Sequence, residues 1–152
     1  MATTTGTFAW FDDGPQNAAG IIHGSETDIR VMLLTSGYTW DATDAVVNDL
    51  TPGSNEVTTG GYARYALTSE AVSEPTTATY MFDSEDPTWT ASGTNLVARW
   101  WILYIYNASD ASAKLVCGGL LDNTVADVTT TVGDDLTHIV DANGWFRLTG
   151  TT

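Results

Sequence analysis

The chain predicts an all-β protein: an antiparallel β-sandwich or jelly-roll-like domain carrying one short helix at about residues 41–50. Three observations predict it. The longest apolar run, Asn95 to Asn107, is crowded with aromatic and β-branched residues, which fit a pleated, packed surface better than a helix. Many shorter segments of the same character are separated by Asp, Asn, Gly, Pro and Ser, the turn chemistry of sandwiches, jelly rolls and barrels. Polar character comes mostly from Thr and short acids, and charged side chains make up only 16% of the chain, which suits strands and tight turns.

In chain order, residues 1–11 read as an N-terminal arm and first short strand, and 12–152 as a single β-domain without repeat, linker or composition break. Residues 1–6 are small and polar. Thr7 to Phe11 is the first short strand, stopped by Asp12-Asp13-Gly14-Pro15. Residues 16–27 read as loop. Asp28 to Ser36 is a strand with Ile29, Val31 and Leu33 on one face and Arg30, Met32 and Leu34 on the other. Asp41 to Leu50 is the expected helix, with Asp41 as cap, Asp44 in the first turn and Thr51-Pro52-Gly53 as its end. Trp40, Val46 and Leu50 are expected to pin it over one end of the sheet. Strands follow at 62–67, 77–82, 88–91, 96–106, 114–121, 127–132, 137–140 and 144–148.

The central strand is 96–106. Alternation puts Leu96, Ala98, Trp100, Ile102, Tyr104 and Tyr106 on one face and Val97, Arg99, Trp101, Leu103 and Ile105 on the other. Both faces are apolar. One is expected to meet the chain's own core and the other a second sheet or another subunit.

Composition excludes several functions. Nineteen acids against five basic residues give a net charge of −14, with no basic patch to neutralise nucleic-acid phosphates or meet an anionic membrane. No run approaches the ~20 apolar residues of a membrane span. The N-terminus lacks the basic and apolar regions of a secretory signal, so synthesis in the cytoplasm is expected. Cys117 is the single cysteine and lies in a strand-like stretch, where a buried, inert thiol is expected.

Catalytic and metal chemistry have few possible members. His23 and His138 lack Cys or Glu partners at ligand spacing, and no zinc, P-loop, dinucleotide or nucleophile-elbow motif is present. Asp12-Asp13, Asp83/Glu85/Asp86 and Asp134-Asp135 match no calcium loop and read as solvated turns. A carboxylate pair for glycoside hydrolysis is possible in any acidic chain. Neither a catalytic residue nor a cofactor or metal is therefore expected.

Six tryptophans carry more information, as core residues first, subunit interface second and glycan platform third. The candidate interface set is Phe8, Trp10, Phe11, Trp100, Trp101, Tyr104 and Tyr106.

Four stretches carry a family resemblance: Ser36 to Asp44, Gly60-Gly61-Tyr62-Ala63-Arg64-Tyr65-Ala66-Leu67, Ala98 to Tyr104 and Asp141 to Leu148. In their character and order, over about 28–148, they resemble small virion structural proteins of tailed bacteriophages. The resemblance implies a non-enzymatic capsid decoration (cement) subunit that binds the major capsid protein on the outer surface of the shell. It implies a homo-oligomer, with a trimer favoured, and no active-site residues. An acidic module avoids packaged DNA, and the polar arm with Phe8, Trp10 and Phe11 would order on the shell. The alternatives are a glycan- or receptor-binding module of a head fibre or tail, and a head–tail accessory protein.

Overall fold

The computed structural model describes residues 1–4 and 6–149, with backbone alone at Thr3 and Thr4. Thr5 of the expected arm and residues 150–152 of the expected domain lie outside the described residues. The protein is all-β, with thirteen strands among the described residues. They are β1 (Ala2–Thr4), β2 (Ala9–Trp10), β3 (Ile29–Leu34), β4 (Tyr65–Ala66), β5 (Ala71–Thr76), β6 (Thr79–Asp83) and β7 (Thr88–Thr90). The rest are β8 (Leu96–Ala98), β9 (Trp100–Ile105), β10 (Lys114–Leu120), β11 (Val128–Thr130), β12 (Asp135–His138) and β13 (Phe146–Thr149).

The apolar run organises the molecule as expected. β9 sits at the centre of a five-stranded antiparallel sheet of order β2-β10-β9-β3-β4. Three smaller sheets, β1-β12-β7, β13-β6-β5 and β11-β8, complete the fold, and among the described residues only the β1–β12 pairing is parallel. The run is not one strand, however. Arg99 interrupts it: its N–H donates to Leu34 O (2.8 Å) and its side chain reaches Asp127 (2.8 Å). The chain bends there, leaving the central sheet to pair β8 with β11. The bend reverses the alternation. Leu96 and Ala98 share a core with Trp101, Leu103 and Ile105, whereas Trp100, Ile102 and Tyr104 face the opposite way.

The central sheet thus has two covered faces. On the first, Val31, Leu33, Trp101, Leu103 and Ile105 pack under Phe82, Trp89, Leu136, Trp145 and Phe146 from the smaller sheets. On the second, Met32, Leu34, Ile102, Tyr104 and Leu115 pack under Phe11, Tyr38, Val47 and Leu50. The covering that the sequence assigned to a second sheet or a partner is thus supplied on this side by the chain's own 38–50 segment. Each fully buried Leu or Ile stabilises the fold by about 1.5–3 kcal/mol.

The helix is misplaced in the sequence reading. The short α-helix, α1, spans Gly14–Ile22, inside the expected loop. Pro15 occupies its first turn, where a missing N–H costs nothing. Ala18 and Ile21 lie on its buried side, and Asn17 Nδ2 donates to Leu115 O (2.8 Å). Residues 41–50 instead form turns ending in a 3-10 turn, Val47–Leu50, followed by the four-residue α2, Pro52–Asn55. Local carboxylates capture the backbone there. Asp41 Oδ1 accepts from the Thr43 N–H (2.9 Å), and Asp49 Oδ2 accepts from Ala45 and Val46 N–H (3.0 and 3.1 Å). Val47 N–H then donates to Ala113 O (2.9 Å), and Leu115 N–H donates to Ala45 O (3.0 Å). These bonds tie the segment to β10 and leave no i to i−4 ladder. The other strands fall near their expected positions. The exceptions are 62–67, which contracts to the two residues of β4, β5, which the sequence reading missed, and β1, a strand paired with β12 where the reading placed a polar arm.

Candidate functional site: an aromatic cavity between the chain ends

A cavity of about 600 Å3 opens where the Gly6–Trp10 segment meets the return from β12 to β13. Three hydrogen bonds fix the first wall. Thr7 N–H donates to Leu120 O (2.9 Å), Leu120 N–H to Thr7 Oγ1 (2.8 Å) and Trp101 Nε1 to Thr7 O (3.1 Å). Gly119 permits this approach, because a Cβ there would collide with the Thr7 carbonyl. The second wall is a tight turn over Asp141-Ala142-Asn143-Gly144. Asp141 Oδ1 accepts from the Asn143 N–H (2.8 Å) and from Asn143 Nδ2 (2.6 Å). Gly144 closes the turn at φ +72°, which L side chains rarely adopt, and Trp145 N–H then anchors on Phe82 O (2.8 Å).

The floor is a ring cluster. His138 lies 4.9 Å from Trp101 and 5.5 Å from Trp145, and the two indoles are 5.5 Å apart, centroid to centroid. Burial lowers the His138 pKa to about 4, so at neutral pH the imidazole is uncharged among these rings. Phe8 stands edge-on to Trp10 at 5.0 Å. Asn123, Asp141, Asn143 and Arg147 supply the polar part of the lining.

The predicted interface residues divide. Phe8, Trp10 and Trp101 meet at the cavity. Phe8 is 46% exposed, while Trp101 is buried. Phe11, Trp100, Tyr104 and Tyr106 belong to the opposite side of the central sheet: Phe11 and Tyr104 are buried, and Trp100 and Tyr106 are half-buried. Trp40 stacks on Phe11 at 4.5 Å, and Tyr106 lies under the Arg30 guanidinium at 3.7 Å. Of the cavity's other residues, the sequence reading weighed His138 only as a metal ligand and Trp145 only as one of six tryptophans, and it gave Asp141, Asn143 and Arg147 no role in a site. The signal was an Asx-type turn immediately before an aromatic pair, recorded only as a turn.

A second polar cluster ties loops together on the sheet's other side. Arg64 Nη2 lies 2.7 Å from Glu56 Oε2 and 2.8 Å from Asp110 Oδ2, and Tyr62 OH donates to Glu56 Oε1 (2.9 Å). Arg64 holds the Asp110 carboxyl below its usual range, and burial pushes the Tyr62 phenol up. Two of the acidic-run residues tie distant segments together: Asp86 Oδ1 accepts from Val140 N–H (2.8 Å), and Asp135 Oδ1 accepts from Thr90 Oγ1 (2.6 Å). Among the described residues no group of three or more His, Cys, Asp or Glu side chains is placed to hold a metal ion. No helix of the described residues is long and apolar enough to cross a membrane. Cys117 is buried, which pushes its thiol pKa well up.

No protein-family model matches the chain, and neither a curated protein nor a solved structure matches it.

Proposed function

We propose that the chain is a non-enzymatic structural subunit of a tailed-phage virion, a capsid decoration protein that binds the outer shell and stabilises it. The observation that carries the reading is the β5–β6 hairpin. β5 is exposed at all six residues, and it pairs only with β6. Register places Val72 opposite Phe82, and Leu148 opposite Tyr80, so these four share one face of the sheet with Phe146. Phe82 and Phe146 lie at its base in the core, whereas Val72 (46% exposed) and Tyr80 (37% exposed) continue the apolar face beyond the body. An overhanging apolar ledge suits a neighbouring protein subunit. Glu74 and Pro75 sit on its outer strand and disfavour edge-to-edge pairing, so the contact is through side chains. The resemblance to phage virion proteins and the net charge of −14 point to the shell's exterior, away from DNA. The partners are the major capsid protein and other copies of the chain, with a trimer favoured.

The test is binding to undecorated capsids, with shell melting temperature and the chain's mass in solution as readouts. The proposal expects a small oligomer that binds shells and raises their melting temperature, and a Tyr80→Asp chain that folds but binds poorly. A monomer that ignores shells sinks it.

A further inference from the structure

From its lining we infer that the cavity between the chain ends is a binding site for a neutral pyranose ring, one unit of a glycan. At about 600 Å3 it falls within the range of small-molecule sites, about 300–1,000 Å3. Its walls offer aromatic surface from Phe8 and Trp10, against which the C–H faces of a sugar ring pack, above the buried rings of Trp101 and Trp145. Its polar lining offers the complementary chemistry. Asp141 Oδ1 is taken up by Asn143, which leaves Oδ2, the Asn143 amide oxygen and the Arg147 guanidinium with hydrogen-bonding capacity for hydroxyls. All three residues are exposed.

Charge narrows the ligand class. The lining holds one carboxylate, Asp141, and one cation, Arg147, so its formal charges cancel. The chain's charge of −14 repels phosphates and sulfates from the whole surface. Arg147 in turn opposes a quaternary ammonium, which the aromatic walls would otherwise favour. A neutral polyhydroxylated ring uses both the apolar walls and the mixed polar lining. The buried, uncharged His138 keeps the floor neutral as well.

The experiment titrates the full chain with methyl glycosides of glucose, galactose, mannose and N-acetylglucosamine, followed by tryptophan fluorescence and saturation-transfer NMR. Glycerol, choline chloride and inorganic phosphate are the controls. At least one glycoside is expected to bind with Kd of about 1 mM, or about −4 kcal/mol. Trp10→Ala and Asn143→Ala are each expected to weaken it by about tenfold or more, equivalent to ~1.4 kcal/mol. Asn143 is exposed, so its variant is expected to melt like the parent and to bind capsids like the parent, which separates this site from the assembly role. The inference is overturned if no glycoside binds better than glycerol, if choline or phosphate binds better than every glycoside, or if glycoside binding survives both substitutions.

Discussion

β9 and β5 are both six-residue strands, and they are opposites. From Trp101 to Ile105 every β9 residue is buried, whereas every residue of β5 is exposed. β9 has a strand on each side, β10 and β3, and a covered core on each face. β5 has one neighbour and no cover. One strand determines whether the chain folds, and the other is free to meet something else. The contrast teaches that burial and exposure are divided between these two strands, so a substitution on β5 is expected to leave the fold standing where one in β9 does not.

The largest expected effect is at the centre. Leu103→Ala removes a fully buried side chain between β3 and β10 and is expected to cost about 2–5 kcal/mol in denaturant unfolding. A loss below ~1 kcal/mol would mean that β9 is less central than its packing indicates.

Next comes pH. The His138 pKa falls from about 6.5 in the unfolded chain to about 4 in the fold. As pH drops below 6.5 the unfolded state takes up the proton first, so this contribution is intact above pH 6.5 and lost by about pH 4. The loss is on the order of 3 kcal/mol. Asp110 and Asp41, held low, add to the acid sensitivity, while Asp44 and Glu70, held high, oppose it. Comparing the parent with His138→Gln from pH 7 to pH 4 isolates the histidine. Parallel stability curves for the two chains would refute its role.

Arg64→Ala leaves Glu56 and Asp110 without their shared partner and is expected to cost about 2 kcal/mol, measured in the same way. The smallest effect is on β5. Val72→Asp is expected to change the chain's own stability by less than about 0.5 kcal/mol while reducing shell binding. If it unfolds the chain instead, the separation of the two strands fails.

The same contrast explains what was legible in the sequence. Trp100 to Ile105 and Ile29 to Leu34 announce themselves because strands buried on both faces need apolar residues at nearly every position, Arg30 being the one exception. Ala71-Val72-Ser73-Glu74-Pro75-Thr76 carries no such pattern, since nothing in this chain covers it. The helix was misread for a different reason. Asp41 and Asp44 look like helix-start residues, but Asp41 and Asp49 bond the local backbone in turns, Asp44 accepts from the Tyr38 hydroxyl, and β10 bonds Ala45 and Val47 of the same segment. At α1, Asp13-Gly14-Pro15 signals a turn and a helix start equally well. The cavity was half legible: Phe8 and Trp10 were singled out, but nothing local tells that Asp141, Asn143 and Trp145, more than a hundred residues later, stand opposite them.

That long reach has a consequence for biosynthesis. β2 closes against β10, and β1 against β12. On the ribosome, residues 2–10 emerge long before either partner strand exists. β3 must likewise wait for β9, holding five buried apolar side chains in the open meanwhile. Closure is therefore a late event, with the slow, non-local character of β-rich folds. The nascent chain therefore stays open to aggregation until the strands that close its core, through β13, have left the exit tunnel.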